Sequence, residues 1–245
     1  MTPFDDLDSY LALPRVAGLA VSPTGDRVVT TVSELSSEGT EYRTAIWELD
    51  PAGIGSARRL TRGGKGESAP VFTSDGDLLF LASRPTSGEE SAPAALWRLP
   101  KEGGEAVEEL SLPGGVSAVH VAGDAPRTVV TTSLLRSAAG IDEDERLRTL
   151  RKDNKVSAIL HRGYPVRQWD HDLGPELPHL FETDGKRDLT PEPGAALRET
   201  ALDVSADGTF VLASDGATRL LPHQALARIS DIVHGQVERQ YAILN

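Results

Sequence analysis

A short polar turn that ends in glycine and leads into a β-rich apolar run occurs three times in this chain. The copies are Val21-Ser22-Pro23-Thr24-Gly25-Asp26-Arg27-Val28-Val29, Phe72-Thr73-Ser74-Asp75-Gly76-Asp77-Leu78-Leu79-Phe80 and Val204-Ser205-Ala206-Asp207-Gly208-Thr209-Phe210-Val211-Leu212. Gly25 and Gly76 lie 51 residues apart, a period that suits one β-propeller blade and exceeds that of most helical repeats. Trp47-Glu48-Leu49 follows the first turn and Trp97-Arg98-Leu99 the second. Arg59-Leu60-Thr61 and Glu109-Leu110-Ser111 then place a leucine 13 residues beyond each tryptophan. Three features in one order at one spacing predict successive antiparallel strands of a four-stranded blade. Glycine supplies the positive φ that the turn needs, and the tryptophans read as core wedges between neighbouring blades.

A weaker third copy, Val119 to Val130, is followed by an insert. Ile141 to Leu150 is charge-dense, and Leu147 with Leu150 predicts a short amphipathic helix. The blade then resumes as a strand over Lys155 to Leu160 and closes with His179-Leu180-Phe181 and Arg187-Asp188-Leu189-Thr190. The expected fold class is all-β, a partial β-propeller of about four four-stranded blades in an open or incomplete ring. The blades span residues 14–63, 64–113, 114–193 and, in part, 194–213. A short helix over Pro3 to Leu13 precedes them, with Thr2 as cap and Pro3 at the first helical position. The tail, 214–245, is atypical, since His223 to Val233 has helical spacing. Its favoured origin is a truncated or frame-shifted reading frame, and a capping helix is the alternative.

A net charge of −12 argues against nucleic acid and anionic membrane as partners, because both demand basic surface. The chain has no cysteine, which excludes disulfides, thiolate metal sites and cysteine nucleophiles. No signal peptide or spanning segment is evident, so a cytoplasmic location is the default expectation.

His161-Arg162-Gly163-Tyr164-Pro165-Val166-Arg167-Gln168-Trp169-Asp170-His171-Asp172-Leu173-Gly174-Pro175 resembles the third-blade segment of bacterial acylaminoacyl-peptidase-like members of the prolyl oligopeptidase family. Leu11-Ala12-Leu13-Pro14-Arg15-Val16 and the Ser22-Pro23-Thr24-Gly25 turn resemble the start of the same family. The resemblance covers roughly residues 4–213 and is dense from Lys155 to Phe181. It implies an N-terminal propeller that limits access to a C-terminal α/β-hydrolase domain carrying a Ser-Asp-His triad. The chain departs from that pattern, with fewer than four complete blades and no hydrolase domain.

The hydrolase nucleophile requires Gly-x-Ser-x-Gly, whose glycines permit the sharp strand-to-helix elbow. Gly66-Glu67-Ser68-Ala69-Pro70 lacks the second glycine, and Leu212 stands where the first belongs before Ser214. No catalytic residue is therefore assigned. Asp170, His171 and Asp172 with His179 nearby suggest a metal site. Neighbours on a strand point to opposite faces, however, so a polar loop with an Asp–Arg pair to Arg167 is the stronger reading. No metal or cofactor is expected. Tyr164, Arg167, Trp169 and Asp170 remain as substrate- or domain-contact candidates, since an arginine beside aromatics binds carboxylates and stacks on rings. Interblade packing is the structural alternative for them. Arg62-Gly63-Gly64-Lys65-Gly66-Glu67-Ser68 lacks phosphate-loop spacing and reads as a solvated interblade loop. Asp142 to Arg146 reads as a solvated helix face, with an acidic rim for basic peptides as the lesser alternative.

The expected function is that of a non-catalytic propeller region of a prolyl-oligopeptidase-family serine peptidase. It would gate peptide access and dock on an α/β-hydrolase domain, with no hydrolase activity alone. A stand-alone protein- or peptide-binding propeller is the alternative. Open blade edges also predict self-association.

Overall fold

The computed structural model describes residues 4, 6–63, 66–85, 92–161, 166–169, 171–192, 197, 201–214 and 240–243. Helix α1 (Leu7–Leu11) comes first, followed by strands β1 (Arg15–Val21), β2 (Val28–Leu35), β3 (Tyr42–Leu49) and β4 (Arg58–Arg59). Next are β5 (Glu67–Phe72), β6 (Leu78–Ala82), β7 (Ala95–Leu99) and β8 (Val107–Leu110). Strands β9 (Val116–Val121) and β10 (Thr128–Leu135) precede helix α2 (Ile141–Asp153). After it come β11 (Arg167–Gln168), β12 (His171–Asp172), β13 (Glu176–Glu182) and β14 (Arg187–Asp188). The last strands are β15 (Ala201–Val204), β16 (Phe210–Ser214) and β17 (Gln240–Ile243).

Each of the first two sheets is a four-stranded meander, β1-β2-β3-β4 and β5-β6-β7-β8. The third has the order β14-β13-β10-β9, with α2 and the β11–β12 hairpin inserted between its two middle strands. The fourth described sheet is three-stranded, β15-β16-β17. These are antiparallel propeller blades. The repeated turn is the hairpin joining the first two strands of a blade. Gly25, Gly76 and Gly208 sit there at φ of 74°, 92° and 71°, a region that side chains with a Cβ rarely enter. Ser22 and Thr73 close the loop by donating N–H to Arg27 and Asp77 carbonyls, 2.9 Å each.

The chain divides into two compact units, Met1–Ser111 and Leu112–Asn245. In the first, Val29 and Ile46 of one sheet pack with Phe72, Leu78, Phe80 and Ala82 of the next, and half-buried Trp97 lies against them. Burying side chains of this size stabilises by roughly 1.5–3 kcal/mol each. In the second unit Val129 and Leu180 pack with Val204 in the same way.

The leucine–threonine phrase has a further role. Leu60 N–H bonds the Ile46 carbonyl at 2.8 Å, and Thr61 Oγ1 accepts the Ile46 N–H at 2.9 Å. Leu189 and Thr190 repeat both bonds on Leu180, at 2.8 and 2.9 Å. The hydroxyl thus satisfies a buried donor where the short outer strand ends.

A charged trio recurs at equivalent positions in three sheets. In the first, Glu48 lies between Arg27 and Arg58, 2.6 Å from each. In the second the signs are reversed, with Arg98 between Asp77 and Glu109 at 2.9 Å. The third returns to Glu182 between Arg127 at 3.5 Å and Arg187 at 2.9 Å.

Several expectations change. Helix α1 spans five residues and is capped by Asp6, whose carboxylate accepts the Ser9 N–H at 2.9 Å. Thr2 and Pro3 lie outside the described residues. Lys155 to Leu160 is not a strand. Lys155 takes φ +53°, and Val156 N–H bonds the Arg151 carbonyl at 2.8 Å, so the segment caps α2. Helix α2 itself is anchored by charge, not by leucine. Asp144 is its buried residue, while Leu150 is 45% exposed. The tail contributes β17, which pairs with β16 through Gln240↔Ala213 to Ile243↔Phe210. The helical stretch expected over His223–Val233 lies outside the described residues.

Candidate functional site

The segment that carries the contact candidates folds as a tight hairpin. Strands β11 and β12 pair through Arg167↔Asp172 and Gln168↔His171, and Leu173 N–H closes the base on the Val166 carbonyl at 2.9 Å. Trp169 occupies the turn at φ +48° and is 95% exposed. Arg167 Nε donates to the Trp169 carbonyl at 3.3 Å, and Nη1 lies 3.7 Å from Asp172 Oδ1. Both partners of that ion pair are mostly exposed, so it contributes little stability. Trp169 is therefore not a wedge between blades. The turn instead presents the indole to solvent, next in the hairpin to an exposed arginine, residue types suited to a partner's apolar side chain or carboxylate. Tyr164 and Asp170 lie outside the described residues.

His179 belongs elsewhere. It is buried in β13, with Nδ1 3.0 Å from Asp188 Oδ2. Among the described residues no three His, Asp or Glu side chains are placed to hold a metal ion. Ser68 lies on β5 beside a bulge, with strand on either side, so it occupies no strand-to-helix elbow. Ser214 ends β16, and residues 215–239 lie outside the described residues.

The glycine-rich loop is not simply solvated. Glu67 is 1% exposed and accepts from Gly63 N–H at 2.6 Å and from Arg84 Nη2 at 3.1 Å. A Cβ on Gly63 would sit 2.3 Å from Glu67 Oε1, so only glycine permits this approach. Arg84 lies over the Trp97 ring at 4.1 Å and borders an open groove of about 780 Å³ together with Arg62, Gly63 and Glu105. Glu67 Oε2 and Arg84 Nε are buried with no protein partner. Sequence reasoning missed this pair. Its signal was a glutamate heading an apolar strand, with an arginine just past the end of the strand paired to it.

The acidic helix face also needs correction. Asp144 is fully buried, accepts the Leu135 N–H at 2.7 Å and pairs with Arg148 Nε at 2.6 Å. Arg148 continues to Glu176 at 2.8 Å and the Ser133 carbonyl at 3.0 Å. A Cβ on Gly114 would lie 1.8 Å from that carbonyl oxygen. The knot fixes α2 on β10, leaving Asp142 and Glu145 to solvent. On β9, burial pushes the His120 imidazole below its ordinary value and Asp203 only partly offsets this.

A solved structure of acylaminoacyl peptidase from Pyrococcus horikoshii matches 86% of the chain with a TM-score of 0.57 at 13% identity, over 29% of its own length. The chain carries a propeller fold of the acylaminoacyl-peptidase kind. In sequence, a Bacillus subtilis protein described as the uncharacterized peptidase YuxL is 30% identical over 140 residues, 57% of this chain and 20% of that protein. A separate likeness, 68% identical over 37 residues, is to the polyphosphate kinase of Pseudomonas syringae pv. tomato, covering 15% of this chain and 5% of the kinase. No protein-family model matches the chain. The chain thus spans well under half the length of each of these three proteins. No described helix is long and apolar enough to cross a membrane.

Proposed function

We propose that the chain acts as a propeller region of a cytoplasmic serine peptidase of the prolyl oligopeptidase family. In this reading it limits peptide access to an α/β-hydrolase domain and docks on it, while the 245 residues supply no Gly-x-Ser-x-Gly nucleophile of their own. The observation that carries the reading is the sheet-by-sheet repeat in a peptidase-type fold, joined to the 30% identity with a peptidase over 140 residues. Arg167 and Trp169 are the proposed contact pair, with Tyr164 and Asp170 beside them in sequence. The test is to titrate the full chain into a separately produced hydrolase domain of an acylaminoacyl-peptidase-like protein. Binding is expected, together with slower cleavage of long peptides and unchanged cleavage of short acylated substrates. Absence of binding, or equal effects on both substrates, would sink the reading.

A binding module independent of any hydrolase is the second reading, favoured by one observation, the near-complete exposure of Trp169. It predicts that the chain captures peptides by itself and that Trp169→Ala abolishes the capture. The polyphosphate-kinase likeness supports no kinase reading, because 37 residues cover only 5% of that enzyme.

A further inference from the structure

The open groove of about 780 Å³ is lined by Leu60 to Gly63, just past the first sheet, and by residues of the second sheet, all within the first unit. Its two ends carry opposite charge. Arg84 lies two residues beyond Ala82, where β6 stops. Arg62 joins it there, because the next residue, Gly63, shares the Glu67 carboxylate with Arg84. Glu105 borders the other end with Leu99 and Ala106, since Leu99 pairs with Leu78 at the start of β6 and Val107 pairs with Arg98. The four steps from Leu78 to Ala82 separate the ends by about 13 Å at ~3.3 Å per residue. Arg84 is held in place on two sides. Its Nη2 donates to buried Glu67 at 3.1 Å, and its guanidinium lies 4.1 Å from the Trp97 ring centroid and 5.6 Å from that of Phe80. The side chain keeps 30% exposure, and Nη1 makes no hydrogen bond among the described residues. A fixed guanidinium with a free donor is preorganised for a carboxylate.

We propose that this groove binds a short peptide with free termini, its carboxylate at Arg84 and Arg62 and its amino group at Glu105. Three features select that occupant. The charges at the two ends match a zwitterion lying in one direction. Between them Leu60, Leu99 and Ala106, half-buried against the core, offer apolar wall to the peptide's side chains. The separation corresponds to about four extended residues at ~3.3 Å each, and the volume falls in the range of roughly 300–1,000 Å³ usual for small-ligand sites. A zwitterion carries no net charge, so the chain's −12 does not repel it as it would a simple anion. Glu67 acts here as a positioning residue, holding Arg84, and glycine at position 63 leaves room for its carboxylate. This inference rests neither on the peptidase reading nor on the Trp169 hairpin.

The test is isothermal titration of the full chain with an alanine–leucine tetrapeptide, its C-terminal amide, its N-acetyl form and free leucine. The free tetrapeptide should bind, the amide and the acetyl form should each bind about tenfold more weakly, and free leucine should not bind measurably. Arg84→Met should remove the preference for the free carboxylate. That change strips buried Glu67 of its partner and strains the fold. Two substitutions at exposed positions therefore supply the independent check. Arg62→Gln should shrink the penalty for amidation, and Glu105→Gln should abolish the penalty for acetylation. Equal binding of all three peptide forms overturns the proposal, as do penalties that both substitutions leave untouched. So does an absence of binding at millimolar peptide, free leucine binding as tightly as the tetrapeptide, or binding that is lost in Trp169→Ala and so belongs to the hairpin.

Discussion

The first two sheets share a sequence code and differ in their surroundings. Leu78, Phe80 and Ala82 are at most 2% exposed because the first sheet lies against them. Their counterparts 50 residues earlier are Val28, Thr30 and Val32. Two of these, Val28 and Val32, are only half-buried. The tryptophans diverge as well. Trp97 Nε1 donates to the Ala82 carbonyl at 3.2 Å, while Trp47 Nε1 is buried without a partner. The repeat thus specifies which face is apolar, and a neighbouring sheet decides whether that face stabilises the fold.

The strongest way to break this comparison is by truncation. Phe72→Ala should lower the unfolding free energy by about 3–5 kcal/mol. Val21→Ala at the equivalent point should cost less than about 0.5 kcal/mol at dilute concentration, as for an exposed site. Urea unfolding of both variants measures the difference, and equal losses would show that the two faces do not differ. A smaller effect comes from the charged trios. Arg98→Glu sets three carboxylates side by side and should cost about 2 kcal/mol. The triple change D77R/R98E/E109R, which copies the sign order of the first sheet, should recover most of that loss.

Acid titration sharpens the contrast further. Burial pushes the Glu48 carboxyl up, but hydrogen bonds from Arg58 and Arg27 outweigh it and hold it below the ordinary range. Asp77 is likewise held down against burial by Lys101 N–H and Arg98. In both, the unfolded chain takes up the proton first. Their contribution is therefore complete above the ordinary carboxylate range near ~4 and is lost as pH falls through the lower folded values. Glu48→Gln should make stability fall less steeply in that window. The smallest expected effect is at His120. Its folded value is depressed, so acidification through the ordinary histidine range near ~6.5 favours the unfolded chain. His120→Gln should flatten that segment of the stability profile.

Much of the fold was legible because the turns are local. A glycine at positive φ and a Ser or Thr that folds back on the loop can be read from adjacent residues. The role of Thr61 was harder to see, since it depends on Ile46 across the sheet. Less of the candidate site was legible. Arg167 bonds the Trp169 carbonyl, but the turn leaves Trp169 exposed where an aromatic would ordinarily be placed in the core. Glu67 and Asp144 read as solvated in sequence because charge is a reliable sign of exposure only when no partner is near. Each has its arginine close by, Arg84 just past β6 and Arg148 on the same helix, and that half-buried partner lets the carboxylate be buried. The strand expected over Lys155–Leu160 failed because apolar alternation alone says nothing of the helix end immediately before it.

The reversed signs of the central trio bear on folding as well as on stability. Tandem repeats of similar sequence can exchange strands, with one copy taking the place of another. If β3 were to fill the position of β7, Glu48 would lie between Asp77 and Glu109; in the opposite exchange, Arg98 would lie between Arg27 and Arg58. Either error gathers three like charges. The alternation works as a parity check written along the chain, rejecting a shift by one repeat that the apolar code alone would accept.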